Sequence, residues 1–228
     1  MKDEMRYKSV AITMVLFIGF GLSGVQAQTV KDIDDNEYKT VIIGTQTWMA
    51  ENLKTTKYND GEVIPLVTDN AAWITRDSVA LTNPSFYWYD NDPSNKNTYG
   101  ALYNGYTVNT GKLCPSGWHV PADAEWSILT TNLGGEEVAG GKLKETGTKH
   151  WLDPNKGATN ETGFTALPGG YRSMNGKFNY INGGSGWWSS TEYNSTRAWS
   201  RGMHSDTDHV SRGAGELPNG LYVRCLKD

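Results

Sequence analysis

The sequence predicts an α+β domain, on three observations. A helical period from near Pro121 to Leu133, followed by weaker helical spacing to 145, precedes the strand-rich part of the chain. After Ala158 the pattern changes to short aromatic segments separated by turn residues, which reads as a run of strands. The chain carries only two cysteines, Cys114 and Cys225, placed so that one bond would close a single compact body. Helices followed by strands, without regular alternation, point to segregated layers and not to repeated βαβ units.

At the N-terminus, Lys2, Arg6 and Lys8 lead into an apolar run from Val10 to Leu22, and Val25-Gln26-Ala27 offers small residues before Gln28. This is the pattern of a secretory signal peptide over residues 1–27. The run is about 13 residues long, against about 20 for a membrane span, so an anchor is the weaker alternative. No stable membrane insertion is expected after cleavage. Residues 28–228 then form one extracytoplasmic domain, periplasmic, secreted or at the cell surface, large enough to bury a core. The net charge of −4 and the lack of a basic patch argue against a nucleic-acid partner.

Residues 34–53 predict a hairpin: Tyr38, Val41, Ile42 and Ile43 run to Gly44-Thr45, and Trp48-Met49 resume beyond it. Residues 54–85 lack sustained periodicity and read as loops with short strands. Phe86 to Tyr89 is an aromatic strand candidate, and Asp90 to Asn95 is turn chemistry. Spacing over Gly100 to Val108 suggests a short helix. The clearest helix starts near Pro121, with Trp126, Leu129 and Leu133 on one face and Gly134-Gly135 stopping it. A second helix is expected over Glu136 to Glu145, weakened by Gly140-Gly141 at about 1 kcal/mol each. Strands are expected at 164–167, 170–172, 177–181, 187–191, 198–201 and 221–225, with a hairpin turn at Asn175-Gly176.

A bridge between Cys114 and Cys225 would close a loop of about 111 residues and stabilise by about 4–5 kcal/mol in the chain-entropy account. A reactive thiol or a metal pair is the alternative. The chain has no CxxC and no histidine pattern beside either cysteine, so the structural bridge is preferred.

Several motifs occur in order: Tyr38 to Gly44, Gln46 to Leu53, Cys114 to Trp126, Leu167 to Arg172, Trp187 to Glu192 and Val223-Arg224-Cys225. Together they resemble the Fibrobacter succinogenes major paralogous domain family over about residues 30–227. The resemblance implies a secreted or surface protein and assigns no activity. The Val120-Pro121 to Glu125-Trp126 element and the closing Val-Arg-Cys segment also resemble formylglycine-generating-type domains, which belong with C-type lectin-like folds. That second resemblance implies small antiparallel sheets, two flanking helices, paired terminal strands and long loops on one side. Three departures stand out. Gly105 occupies a position where the family is expected to carry tryptophan, and Ala122 one where serine or threonine would cap the helix. Residues 201–219 lack the expected tyrosine-rich run.

Nine tryptophans and twelve tyrosines invite a carbohydrate-binding reading, because flat rings stack on sugar C–H faces. Trp48, Trp118, Trp126 and Trp151 sit in patterned contexts and read as core. Trp187, Trp188, Tyr193, Arg197 and Trp199 are the candidate ligand contacts, since adjacent tryptophans on a strand face opposite sides and one of the pair can be presented. His204, Asp206, Asp208 and His209 could ligate a cation, but their spacing matches no established site and a polar hairpin tip is preferred. Asp90-Asn91-Asp92 offers calcium-type oxygens without the glycine and bidentate glutamate of an EF-hand, so a turn is preferred. His119, His150, Glu125 and Glu192 are scattered, so no catalytic set, no metal and no cofactor is expected. The expected function is a non-enzymatic module that recognises a polysaccharide or a surface partner. The alternatives are an adhesive protein-binding surface protein and an enzyme derived from the formylglycine-generating fold, the latter needing free cysteines.

Overall fold

The computed structural model describes residues 28–68 and 82–228. The expected signal peptide and residues 69–81 of the expected loop region lie outside the described residues. The architecture is α+β, built on two sheets.

The N-terminal strands β1 (Thr29–Lys31), β2 (Glu37–Ile43) and β3 (Gln46–Met49) form a meander, with Thr40 opposite Met49 and Ile43 opposite Gln46 in the expected hairpin. β4 (Phe86–Tyr87) is shorter than the aromatic run suggests, because the chain turns into 3-10 conformation at Tyr89–Asn91. Helix α1 (Lys96–Tyr99) follows, then β5 (Leu102–Asn104), helix α2 (Gly105–Asn109) and β6 (Trp118–His119). The helix expected over Gly100 to Val108 is therefore half strand. Leu102 and Tyr103 pair with neighbouring strands, and the Asn104 side chain caps α2 by accepting the Thr107 N–H at 3.0 Å.

Helix α3 (Asp123–Asn132) buries Trp126 and Leu129 as its period predicts. Ala122 offers no capping hydroxyl, but the Glu125 carboxylate accepts the Ala122 N–H at 2.7 Å and the Thr191 hydroxyl accepts the Asp123 N–H at 3.0 Å. A strand from the second half thus supplies part of the missing cap. Helix α4 (Glu136–Leu143) keeps its two weakening glycines for space. A Cβ on Gly141 would sit 2.4 Å from the Gly157 carbonyl oxygen, and one on Gly140 would sit 2.7 Å from those of Asp208 and His209. The Gly141 N–H donates to the Asp208 carbonyl at 3.1 Å, which ties two loops to the helix.

β7 (Gly169–Arg172), β8 (Phe178–Ile181), β9 (Gly184–Asn194), β10 (Arg197–His204) and β11 (Ser211–Glu216) form the strand-rich half, closed by β12 (Gly220–Leu221) and β13 (Leu226–Lys227). The larger sheet runs β11-β10-β9-β7-β12-β5-β4, with β8 on β7. Its pairs are antiparallel except β7 with β9, and four α-helices accompany the sheets among the described residues, against the two flanking helices that the second resemblance implies. The terminal strand expected over residues 221–225 is split, because the chain changes sheets there. β12 lies in the larger sheet, whereas β13 inserts between β3 and β6 of the smaller one, which runs β1-β2-β3-β13-β6. The last residues are thus an interior strand. The stretch expected as a strand at 164–167 is irregular, with one bridge from Ala166 to Lys144 and with Thr165 at φ +55°.

Cys114 and Cys225 form the disulfide, with their Cα atoms 5.9 Å apart, and no free cysteine remains. Gly105 fits where tryptophan was expected because a Cβ there would meet the Leu217 side chain at 2.6 Å. Among the described residues no helix is long and apolar enough to cross a membrane.

Candidate functional site

The adjacent tryptophans of β9 do face opposite ways, yet neither reaches solvent. Trp187 enters the core cluster shared with Trp48, Trp126 and Phe164, and Trp188 enters the one shared with Tyr103, Cys114 and Cys225. Both are 0 % exposed, and their indole N–H groups donate to Asn52 Oδ1 at 2.9 Å and the Tyr103 carbonyl at 2.7 Å. The expectation that one of them contacts ligand is therefore corrected. At these two positions the strand is covered on both faces, and each polar handle is satisfied inside.

Tyr193, Arg197 and Trp199 lie where β9 meets β10. Tyr193 meets Trp199 edge to face with ring centroids 4.8 Å apart, and the Arg212 guanidinium covers one face of Trp199 at 3.5 Å. Arg197 is held by Glu216 at 2.6 Å. Of this trio Tyr193 presents the most ring, because Trp199 is half-buried and already stacked. Trp48, Trp126 and Trp151 are core, as expected, and Trp118 is half-buried.

The other side of β9–β11 shows a feature the sequence reading missed. Cross-strand partners share a face, and here the pairs are Gly186 with Gly202, Gly202 with Ser211, and Ser200 with Gly213. Three strands run side by side with almost no side chains, leaving a trough of about 170 Å³. Tyr171 and Tyr180 form its wall, stacked at 5.9 Å with planes 20° apart, and His204 stands edge-on to Tyr180 at 5.7 Å. Tyr180 is 59 % exposed and its backbone sits at φ +64°, a conformation that costs a bulky residue about 1–3 kcal/mol. The exposed Tyr180 ring is thus held in a strained backbone beside a floor of glycine and serine. The signal in the sequence was the spacing of glycine and serine in 184–186, 200–202 and 211–215, which a strand period would have placed on one face.

The polar loop 204–209 joins β10 to β11, and its ligand-type side chains turn to separate partners. His204 packs on Tyr180, Asp208 lies 3.8 Å from Lys156, and His209 lies 3.9 Å from Glu137. Among the described residues no group of three or more His, Cys, Asp or Glu side chains is placed to hold a metal. The loop is anchored by Lys144, whose buried ammonium donates to the carbonyls of Lys156, His204 and Thr207 at 2.8–3.0 Å. Burial pulls this lysine down to about 8, against the pull of Asp208 and Asp206. Asp90 to Asp92 form a turn in which Asp92 accepts from Ser94.

His119 bridges the C-terminal Asp228 at 2.6 Å and Glu125 of α3 at 3.0 Å. Desolvation lowers its pKa, but the bonds to Asp228 and Glu125 outweigh that and the net shift is upward from 6.5. A raised folded value gives stability that is full below about pH 6.5 and lost as the pH rises through the folded value. Urea unfolding of the wild type and His119→Gln is expected to show a wider stability gap at about pH 5 than at about pH 8. An equal gap at both would remove the charge from this clamp.

No curated protein and no solved structure matches the chain. A family model, described as the Fibrobacter succinogenes major domain, matches residues 41–227, from the middle of β2 to the end of β13. The ordered motifs, the bridge from Cys114 to Cys225 and this match agree, and the chain belongs to the Fibrobacter succinogenes major domain family.

Proposed function

We propose that the protein is an extracytoplasmic, non-enzymatic module of C-type lectin-like architecture that recognises glycans through the trough on β9–β11. The observation that carries this reading is Tyr180: exposed, stacked on Tyr171, held at positive φ and set beside a floor of glycine and serine. A sugar ring lays its C–H face on the tyrosine ring, while the Ser200 and Ser211 hydroxyls and His204 serve its hydroxyl groups. The apolar leader read in the sequence and a disulfide of the kind that persists in oxidising surroundings support this compartment. Two of the acid–base candidates, His119 held by Asp228 and Glu125 and His150 held by Glu145, stand away from the residues that line the trough. The bridge also engages both cysteines that an oxidase of the formylglycine-generating type would need free.

The test is a glycan array followed by affinity electrophoresis with the polysaccharides it finds. Tyr180→Gly removes the ring and relieves the positive φ, so its melting temperature is expected to hold while affinity falls about tenfold, or about 1.4 kcal/mol. Gly202→Val, which fills the trough, is expected to abolish binding. Glycan binding indifferent to both substitutions, or no glycan bound at all, would refute this site.

A further inference from the structure

We propose that a second site, the cleft between residues 50–54, α1 and the 149–167 loop, binds a ligand through a carboxylate or sulfate group. The cleft has a volume of about 310 Å³. Lys54, Lys96, Lys149 and Arg224 line it, against the single carboxylate of Glu51. That balance is opposite in sign to the chain as a whole, whose net charge is −4. Lys54 lies 3.7 Å from Glu51, whereas Lys96 and Lys149 have no carboxylate within ion-pair distance among the described residues.

The floor strengthens the case. Arg224 is 1 % exposed, and its guanidinium lies on the Phe164 ring at 4.0 Å. It donates to Asn52 Oδ1 at 2.9 Å, to the Thr165 carbonyl at 2.8 Å and to the Phe164 carbonyl. These partners are neutral, and no carboxylate pairs with it among the described residues. Buried charges are ordinarily matched by an opposite one; Glu51 attracts Arg224 only from beyond ion-pair distance, and an anion in the cleft would supply a direct partner. The setting is rigid, because Asn52 Oδ1 also accepts from Trp187 while the Asn52 amide donates to the Tyr99 carbonyl at 2.8 Å.

Thr165, in the wall, adds an independent sign. A β-branched residue at φ +55° is a true outlier, and it persists because Asn160 accepts the Thr165 N–H at 2.8 Å and donates to its hydroxyl at 3.0 Å. Strain of this kind collects where a surface is shaped for a ligand. The Thr165 and Thr98 hydroxyls and the Asn97 amide give the cleft neutral polar groups as well, which suits an acid that also carries hydroxyls.

The experiment is a titration of the ¹⁵N-labelled protein with glucuronate, acetate, inorganic sulfate and glucose. Glucuronate and sulfate are expected to shift the amides of residues 97–100 and 165, with affinity falling as salt is added, and glucose is expected to leave them in place. Lys96→Gln/Lys149→Gln is expected to weaken anion binding at least tenfold with an unchanged melting temperature. Tyr180→Gly is expected to bind the anions as the wild type does, which keeps this site distinct from the trough. Tighter binding of glucuronate than of acetate assigns an acidic sugar, and equal binding assigns the bare oxyanion. Equal shifts with glucose, full anion affinity in the double variant, or no anion-dependent shift at these amides would overturn the proposal.

Discussion

Replacing both bridged cysteines, as Cys114→Ala/Cys225→Ala, is expected to lower the unfolding free energy by about 4–5 kcal/mol, a large part of what a domain of this size possesses. The bond spans a sequence separation of 111 residues, so the denatured chain gains the freedom of a very long loop when it is removed. The location amplifies the effect. Cys225 leads directly into β13, an interior strand of the smaller sheet, with Leu226 opposite both Trp48 and His119. The carbonyls of Cys225 and Val223 accept the Met49 and Leu53 N–H groups at 3.0 and 2.8 Å, so residues 223–225 are also tied to β3 and the segment after it. Both cysteines are buried, and a reductant has to wait for the native state to open. Urea unfolding of the purified protein, with and without the substitutions, measures the loss. A loss under about 1 kcal/mol would show that the C-terminal segment is held in place without the bond.

The parts of this fold legible in the sequence were those set by local rules. Helix α3 was readable because Trp126 and Leu129 recur on one face and Gly134-Gly135 end it, and the β2–β3 hairpin because apolar residues flank Gly44-Thr45. The bridge was readable because only two cysteines exist. What local rules miss is where the chain goes next. Residues 221–225 have strand composition throughout, yet the switch between sheets interrupts them, and nothing nearby in sequence encodes that crossing. The candidate site shows the same division. Alternation placed Trp187 and Trp188 on opposite faces but could not show that both faces are covered. Tyr180 looked like one more strand residue, because its exposure depends on the bare lane of Gly186, Gly202 and Gly213 contributed by three other strands. The cleft was the least legible. Its lysines are about 40–50 positions apart in the chain, and the burial of Arg224 without a direct ion pair appears only in the folded structure.

Removing one carboxylate is expected to cost nearly as much as removing the disulfide. Asp123, the first residue of α3, receives Arg201 at 2.7 Å on Oδ1, and Arg212 on both oxygens at 3.0 and 2.7 Å. Arg201 also reaches the Asp123 carbonyl and the Ser127 hydroxyl, both at 3.2 Å, so β10 and β11 are pinned to the start of the helix. The Arg201 side chain is 0 % exposed and the Asp123 side chain 14 %, whereas Arg212 is 38 % exposed. The partners therefore differ in what they lose when Asp123 is neutralised: Arg212 turns to water, but Arg201 stays buried as a lone charge. Asp123→Asn is expected to destabilise by about 3–5 kcal/mol, mostly through Arg201. Partial burial pushes the Asp123 carboxyl up, but the bonds from Arg212 and Arg201 outweigh that and hold it below its usual 3.8. Its contribution is thus present above about pH 3.8 and is lost as the pH falls through the lower folded value. The second variant, Asp123→Leu/Arg201→Met, replaces the pair with apolar side chains and is expected to recover most of the loss, because a buried pair is expensive to break and cheap to exchange. Urea unfolding at neutral pH distinguishes the cases. If the double variant is as unstable as Asp123→Asn, the loss lies in the packing of α3 on the sheet and not in the stranded charge of Arg201.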